Sequence, residues 1–542
     1  MSVVRVFAAR RIHTMNASVP EATHLAMRDG RILGVGSEED MAAFGPAEVD
    51  DRFRDKVLLP GFVEGHSHAF EGMAWRDPYL GYFDRRGPDG TVWPGLTGIA
   101  AVVARLQAAE RELAPGEACC GWGFDPIYFG GGRMVRADLD AVSSERPVVI
   151  THASGHIMNV NVVALARAGF TRETELDGLV RDAAGEPTGE LLGPDAMGRV
   201  RRTTQGASLA RELDAESVRR FGQIACAAGV TTATDLQNEL SAAQVAVFQA
   251  VTAEAGFPIR LVPALAGRAY SAEPGIARWR ELCRASTERL RFGPVKLTVD
   301  GSIQGFTARL RWPGYHDGSP NGLWYLAPAE LDAIVLAYHR AGAQLHIHTN
   351  GDEATEAAVD AIERALVAHP QADHRHTLQH CQMADAALFR RMAALGIGVN
   401  LFANHVWFWG DAHVARTMGP SRAQRLDACG TALAAGVPLA MHSDAPITPM
   451  APLFTAWCAV NRRTAGGRVL GEAERIPVAA ALRAITLGAA ASLKLDRWAG
   501  SLDVGKWADA TVLDEDPFEV APEALRDVPV HATVVGGEVY RA

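Results

Sequence analysis

Apolar and polar residues alternate at both ends of the chain. VVRVFAA and HLAMRDGRILGVG near the start, with DATVLDEDP and HATVVGGEVYRA near the end, carry the period-two pattern of half-buried strands. Asp29-Gly30 and Gly536-Gly537 interrupt it as hairpin turns do. Chain ends often lie close together, so the simple reading is one small sheet domain built from both termini. Between them, short apolar runs alternate with amphipathic stretches, the βα rhythm of a parallel sheet or barrel. The candidate strands are Val57–Phe62, Val148–His152, Val230–Asp235, Ile259–Leu265, Val295–Val299, Ala343–His348, His376–His380, Ile397–Leu401 and Val437–His442. A closed barrel has eight places, so one of these lies elsewhere. The interval before Val230 is far longer than one βα unit needs. Val148–His152 is therefore assigned to an insertion over residues 72–205, whose opening LGYFDRRGPDGTVWPG suggests an irregular lid.

Composition narrows the classes. With 48% hydrophobic and 21% charged residues, the 542-residue chain is globular. A net charge of −10 and the absence of a long Lys/Arg run argue against nucleic-acid binding. The 7 cysteines, an odd number, read as reduced thiols. No secretory signal and no bilayer-spanning apolar stretch is found, so the expected location is the cytoplasm, with no membrane partner.

Candidate chemistry concentrates at strand ends. His66-Ser67-His68 follows the first strand, and residues i and i+2 of a strand share a face, so both imidazoles can converge on one metal. Lys296 interrupts an apolar strand, and a buried lysine needs a partner or a chemical role. His348, His380 and Asp444 each end a later strand. His346 shares a face with His348, and spacing alone does not choose between them. Taken singly, each of these histidines, like His376 and His442, reads as an ordinary core residue. Together, ligand types at the same end of several strands point to a site at a barrel mouth.

The order HxH, Lys, His, His, Asp resembles the amidohydrolase superfamily, and more narrowly the amidohydrolase-3 (YtcJ-like) group that includes N-substituted formamide deformylases. The matching stretches include LPGFVEGHSHAFEG, GWGFDP, SGHIMNVN, KLTVDGSIQGFTARL, HTNGD, LQHCQ, NHVWFWGDAH and HSDAP. The closing GSLDVGKWADATVLDEDPFE resembles the superfamily's return to its β-sandwich. The resemblance implies an α/β fold: a (β/α)8 TIM barrel over 57–494, a composite β-sandwich from 1–56 and 495–542, and the large insertion after barrel strand 1. It implies that His66, His68 and Asp444 hold a first metal, that a carbamate on Lys296 bridges two ions, and that His348 and His380 hold the second. Two Zn2+ per chain suit such ligands. Asp444 then serves as the base that takes a proton from the activated water. HTNGD stands where many relatives read HAIGD, a change that leaves the ligand His348 in place.

Further positions are expected to touch substrate: Trp122 and Asp125 in GWGFDP, His156 and Asn159 in SGHIMNVN, Gln304 after the Lys296 strand, and His405 and Trp407 in NHVWFWGD. Packing of the insertion accounts for the first four equally well. The expected activity is metal-dependent hydrolysis of an amide or formamide C–N bond in a small molecule, with a homodimer as the candidate assembly. Hydrolysis of an ester, lactone or carbamate, decarboxylation at the same centre, and a non-catalytic metal-binding regulator are the rival readings.

Overall fold

Eight parallel strands form the centre of the molecule, paired in chain order. Named β1 to β8, they are Phe62–Glu64, Val230–Asn238, Arg260–Ala266, Pro294–Thr298, Gln344–Thr349, Thr377–His380, Gly398–Leu401 and Leu439–Met441. The computed structural model describes residues 3–129, 132–204 and 213–541. Strand residues alternate between an outer face and the barrel interior. Val295, Leu297, Leu345, Ile347 and Leu378 turn outward into a core shared with the surrounding helices, so Lys296, His346, His348 and Gln379 turn inward. The far end of the barrel is plugged by the helix Ala489–Ser492 with Leu493 and Leu495, packed on Val63, Val262 and Ala440.

The seam between β8 and β1 closes beyond the strand ends. Ser67 and Ala445 form a parallel bridge, the His68 N–H donates to Ala445 O at 2.8 Å, and the Asp444 N–H donates to His66 O at 3.1 Å. Glu64 ties the same seam from the side. Its buried carboxylate accepts the Ser443 N–H at 3.1 Å and the Ser443 hydroxyl at 2.8 Å. Helices start and stop where the sequence provides caps. Ala386–Leu395, for example, begins where the Asp385 carboxylate accepts the N–H groups of Ala387 and Leu388, and it ends at Gly396, whose φ is 70°.

The first barrel strand differs from its expected position. Val57 to Pro60 end a long strand, Ala47–Pro60, that pairs with Val4–His13 and Ala510–Leu513. Only Phe62–Glu64 belongs to the barrel. Val57, Leu58, Leu59, Phe62 and Val63 are all buried, so the apolar run is continuous across Gly61 and its pattern does not show where one sheet hands over to the other.

Both termini contribute to one seven-stranded sheet, in the order Glu538–Arg541, Val530–Val535, Ala510–Leu513, Ala47–Pro60, Val4–His13, Glu21–Arg28, Arg31–Gly36. The sheet curls until its two edge hairpins meet, and a Cβ on Gly30 would stand 3.4 Å from Gly536 O. Both turns use positive φ, 52° and 74° at Asp29-Gly30 and 61° and 83° at Gly536-Gly537. Val148–His152 lies outside the barrel, in a five-stranded sheet with Cys119–Phe124, Ile157–Val160, Leu179–Arg181 and Pro187–Leu192. The insertion is thus a folded α/β unit with its own cores. Its expected end at residue 205 lies outside the described residues. Arg85 fastens the insertion to the β8 loop, donating to Glu71 at 2.9 Å and to Pro446 O at 2.6 Å under the ring of Trp122. Among the described residues no helix is long and apolar enough to cross a membrane.

Candidate metal centre

The C-terminal mouth of the barrel gathers ligand-type side chains from five strands. Lys296 Nζ lies 3.3 Å from His66 Nε2. Asp444 Oδ1 lies 3.4 Å from His66 Nε2 and 3.2 Å from His68 Nε2, and its Oδ2 lies 3.9 Å from His380 Nδ1. The His380 ring centroid is 4.6 Å from that of His66 and 4.5 Å from that of His348. Among the described residues two groups have donor atoms mutually within 4.8 Å: His66, His68 and Asp444, and His66, His380 and His442. His348 adjoins the cluster but belongs to neither group; its Nε2 lies 3.1 Å from Asn350 Nδ2 and 3.4 Å from Gly301 O.

The electrostatics suit a cation. Burial, reinforced by Lys296 and the other histidines, holds the His66, His348 and His380 imidazoles well below their usual range, so they stand neutral, the form that binds a metal. Burial also pushes the Lys296 ammonium down to about 7, opposed by Asp444. The Asp444 carboxyl is raised by burial and pulled back by His68 and Lys296. A direct fit test comes from hydrogen bonding. Both ring nitrogens of His380 are buried without a hydrogen-bond partner. A buried imidazole left so is costly in a metal-free protein and ordinary for a metal ligand.

Hydrogen bonds also separate His346 from His348. The His66 Nδ1–H donates to Gln379 Oε1 at 2.8 Å, and Asn400 Nδ2 donates to the same oxygen at 2.9 Å. Gln379 Nε2 then donates to His346 Nδ1 at 2.7 Å, and the His346 Nε2–H donates to Ser492 O at 3.0 Å. Both nitrogens of His346 are occupied, toward the plugged end of the barrel. The same chain fixes the His66 tautomer and leaves its Nε2 facing Lys296 and Asp444.

Backbone strain helps build the site. Strict alternation in β6 sends Gln379 inward and His380 outward. His380 instead has φ 68° and Cys381 φ 47°, a left-handed turn that swings the imidazole back over the barrel mouth, and Asp444 has φ 54°.

The other expected residues divide. His156 is brought to the site, its ring 5.0 Å from His348 and 5.6 Å from Tyr325. His405 is buried 4.7 Å from Phe402, which stacks on His442, and its Nδ1 lies 3.2 Å from His413 Nε2. Gln304 is buried with Oε1 unpartnered. Asp125 joins the insertion to the helix Asn404–Ala412, accepting the Ile127 N–H at 3.1 Å and the Trp409 indole N–H at 2.9 Å, and burial pushes its carboxyl up to about 7. It borders a cavity of about 30 Å³ with Tyr82, Phe83, Tyr128 and Trp409. Trp122 and Asn159 are not brought to the cluster. The Trp122 indole donates to Asp77 O, and Asn159 is held between Met134 O and His152 inside the insertion. Trp407 packs on Phe83, Phe408 and Phe454. Sequence reasoning read His442 as an ordinary core histidine and passed over Glu64 and Gln379. The face that His442 shares with Ala440 and Asp444 was the available signal for the first.

The barrel, the curled terminal sheet and the ligand cluster define a hydrolase of the metal-dependent amidohydrolase type. The amidohydrolase family model matches residues 54–541, and the chain belongs to that family. Relatives include the Bacillus subtilis (strain 168) protein named as amidohydrolase YtcJ, 28% identical over 97% of each chain. Another is the N-substituted formamide deformylase of Arthrobacter pascens, 26% identical over 97% of this chain and 96% of that one. The crystal structure of a metal-dependent hydrolase from Pyrococcus horikoshii shares the fold, with TM-score 0.72 and 21% identity, covering 96% of this chain and 99% of that one.

Proposed function

We propose that this protein hydrolyses the C–N bond of an amide or formamide in a small molecule. The observation that carries the reading is the cluster of His66, His68, His380, Lys296 and Asp444, in which both ring nitrogens of His380 are buried with no hydrogen-bond partner. The formamide deformylase among the relatives supports the choice of bond. In this reading His66, His68 and Asp444 would hold one divalent ion and His348 and His380 a second, zinc in each case, and Lys296, carboxylated by CO2, would supply an anionic ligand to them. Bound there, the ions supply Lewis acidity that lowers the pKa of a water and polarises the substrate carbonyl.

The chain's own residues do the rest. Asp444 accepts a proton from the attacking water as its oxygen bonds to the carbonyl carbon. It returns that proton to the nitrogen as the C–N bond breaks. Gln379 holds the His66 ring in the tautomer that presents Nε2. His156, beside His348, stands where it can touch the bound substrate.

The test is metal analysis of zinc-replete protein together with rates on N-formyl amines, N-acyl amino acids, aryl amides, esters, lactones, carbamates and aromatic carboxylates. Two ions per chain and a preference for N-formyl or N-acyl amines of at least tenfold, abolished by chelation, are expected. Preferential turnover of an ester, lactone or carbamate, release of CO2 from a carboxylate, or no turnover by fully metallated protein would each overturn the reading.

A further inference from the structure

The insertion meets the metal cluster at His156. Its ring lies 5.0 Å from His348 and 5.6 Å from Tyr325, and its carbonyl accepts the Gly193 N–H at 2.9 Å. That bond seats the start of the helix Gly193–Thr203 beside the barrel mouth. A glycine is needed there, because φ is 79° and a Cβ would stand 2.9 Å from the Tyr325 ring. The loop after β4 packs on the same junction, where a Cβ on Gly305 would stand 2.9 Å from Ile157 Cδ1. Ser302 and Gln304 in that loop are buried, each with its side-chain oxygen unpartnered.

Arg201 stands on this helix, on the i, i+4, i+8 stripe that begins at Gly193 and passes through the buried Met197. It lies about 12 Å of helix rise from Gly193, and long helical side chains lean back toward the N-terminus. Its charge reaches His156, whose imidazole is held down to about 3 by burial and then by Lys296, His68 and Arg201. The Arg201 Nε is buried without a partner, and among the described residues it is the only arginine nitrogen in that state. Elsewhere in the insertion, Arg85, Arg105, Arg133 and Arg146 each donate to a carboxylate or a carbonyl. No carboxylate among the described residues offsets Arg201, and burial pushes its guanidinium down to about 10. A cation taken out of water without a counter-ion costs stability. Its planar fork of donors matches the two oxygens of a carboxylate.

We propose, resting on the C–N hydrolysis above, that Arg201 binds a carboxylate on the substrate, which makes the substrate an acidic amide: an N-formyl or N-acyl amino acid, or the half-amide of a dicarboxylic acid. The scissile carbonyl sits at the metal cluster, His156 lies along the substrate, and Arg201 meets its far end. The counter-ion that the folded chain does not supply arrives with the substrate.

The experiment compares zinc-loaded wild type with Arg201→Met, which keeps an unbranched side chain and removes the charge. One arm measures amine release from N-formyl and N-acetyl amino acids and from the half-amides of succinic and glutaric acid, each against its methyl ester. Wild type should favour the free acid of one series by at least about 100-fold in kcat/KM, and that series tells which side of the C–N bond carries the carboxylate. In Arg201→Met the preference should fall below about tenfold, mainly through KM, and Arg201→Lys should recover part of it. The second arm needs no turnover. Calorimetry follows binding of dicarboxylates from succinate to adipate and of their monomethyl esters, with one carboxylate on the metals and the other on Arg201. One length should bind at least about tenfold tighter than its ester in wild type and not in Arg201→Met. Arg201-dependent binding without amine release would overturn C–N hydrolysis and leave the carboxylate site standing. Amine release with no preference for the free acid, or a preference that Arg201→Met retains, would overturn the carboxylate site and leave C–N hydrolysis standing. Should Arg201→Met fail to fold, Arg201→Gln is read by the same measurements and the same criteria.

Discussion

Asp444 is placed by three independent features: its backbone N–H donates to His66 O, its φ is 54°, and its carboxylate faces His66, His68 and His380. An asparagine keeps the shape and one oxygen donor but is no base near neutral pH. Asp444→Asn should lower turnover by about 10²–10⁴, the usual worth of a positioned base, with melting temperature and metal uptake on the histidines retained. Steady-state rates on zinc-loaded variant check this. A rate within about tenfold of wild type would move the base elsewhere, and His405 is the next candidate. Gln379 works at the same scale without touching substrate. It connects the tautomer of a candidate ligand, His66, to a histidine at the plugged end of the barrel, which explains why two histidines on one face of β5 have different fates.

At the scale of elements, the seam between β8 and β1 is the sensitive feature, because His66, His68, His442 and Asp444 all sit on its two sides. Glu64 holds it from a fully buried position, and burial pushes its carboxyl up to about 8 despite the donors from Ser443. Glu64→Ala strands the Ser443 N–H and hydroxyl, each worth roughly 1–3 kcal/mol when buried and unpaired. The expected result is a loss of about 2–6 kcal/mol in stability, with Zn2+ affinity reduced because the two ligand-bearing ends drift apart. Denaturant unfolding and metal titration measure the two effects, and a stable variant with normal affinity would show that the backbone bridges alone close the barrel.

For the whole molecule, the contact between the insertion and the barrel carries a pH dependence. Asp125 is buried where the insertion meets the helix Asn404–Ala412, and its carboxyl is raised to about 7. In the unfolded chain it ionises near pH 4. Between these values the folded state holds a proton that the unfolded state has lost, so stability falls as pH rises from about 4 to about 7 and is flat above. The displacement to about 7 corresponds to roughly 4 kcal/mol. Asp125→Asn removes the titration, and the difference in melting temperature between pH 5 and pH 8 should shrink in the variant. An unchanged difference would show that Asp125 stays ionised throughout.

Several features were legible in the sequence because they are local and periodic. The period-two ends marked the terminal strands, and Asp29-Gly30 and Gly536-Gly537 marked their turns. The alternation in β4 and β5 sent Lys296, His346 and His348 to one face. The HxH, Lys, His, His, Asp order pointed to the family. Other features depended on contacts between residues far apart in sequence. Val57 to Pro60 pair with the terminal sheet and not with the barrel, and burial of both faces of that strand erases the alternation that would have shown it. His346 and His348 separated only through Gln379 and Ser492, one across a strand pair and the other in a helix 146 residues on. His380 reached the barrel mouth through a left-handed backbone that no periodicity encodes. His442 read as an ordinary core histidine, and only the tertiary structure set it against His66 and His380. The sequence determined which side chains each strand presents. The folded chain decided which of them meet, because strand register, barrel closure and backbone handedness are set by packing across the whole molecule.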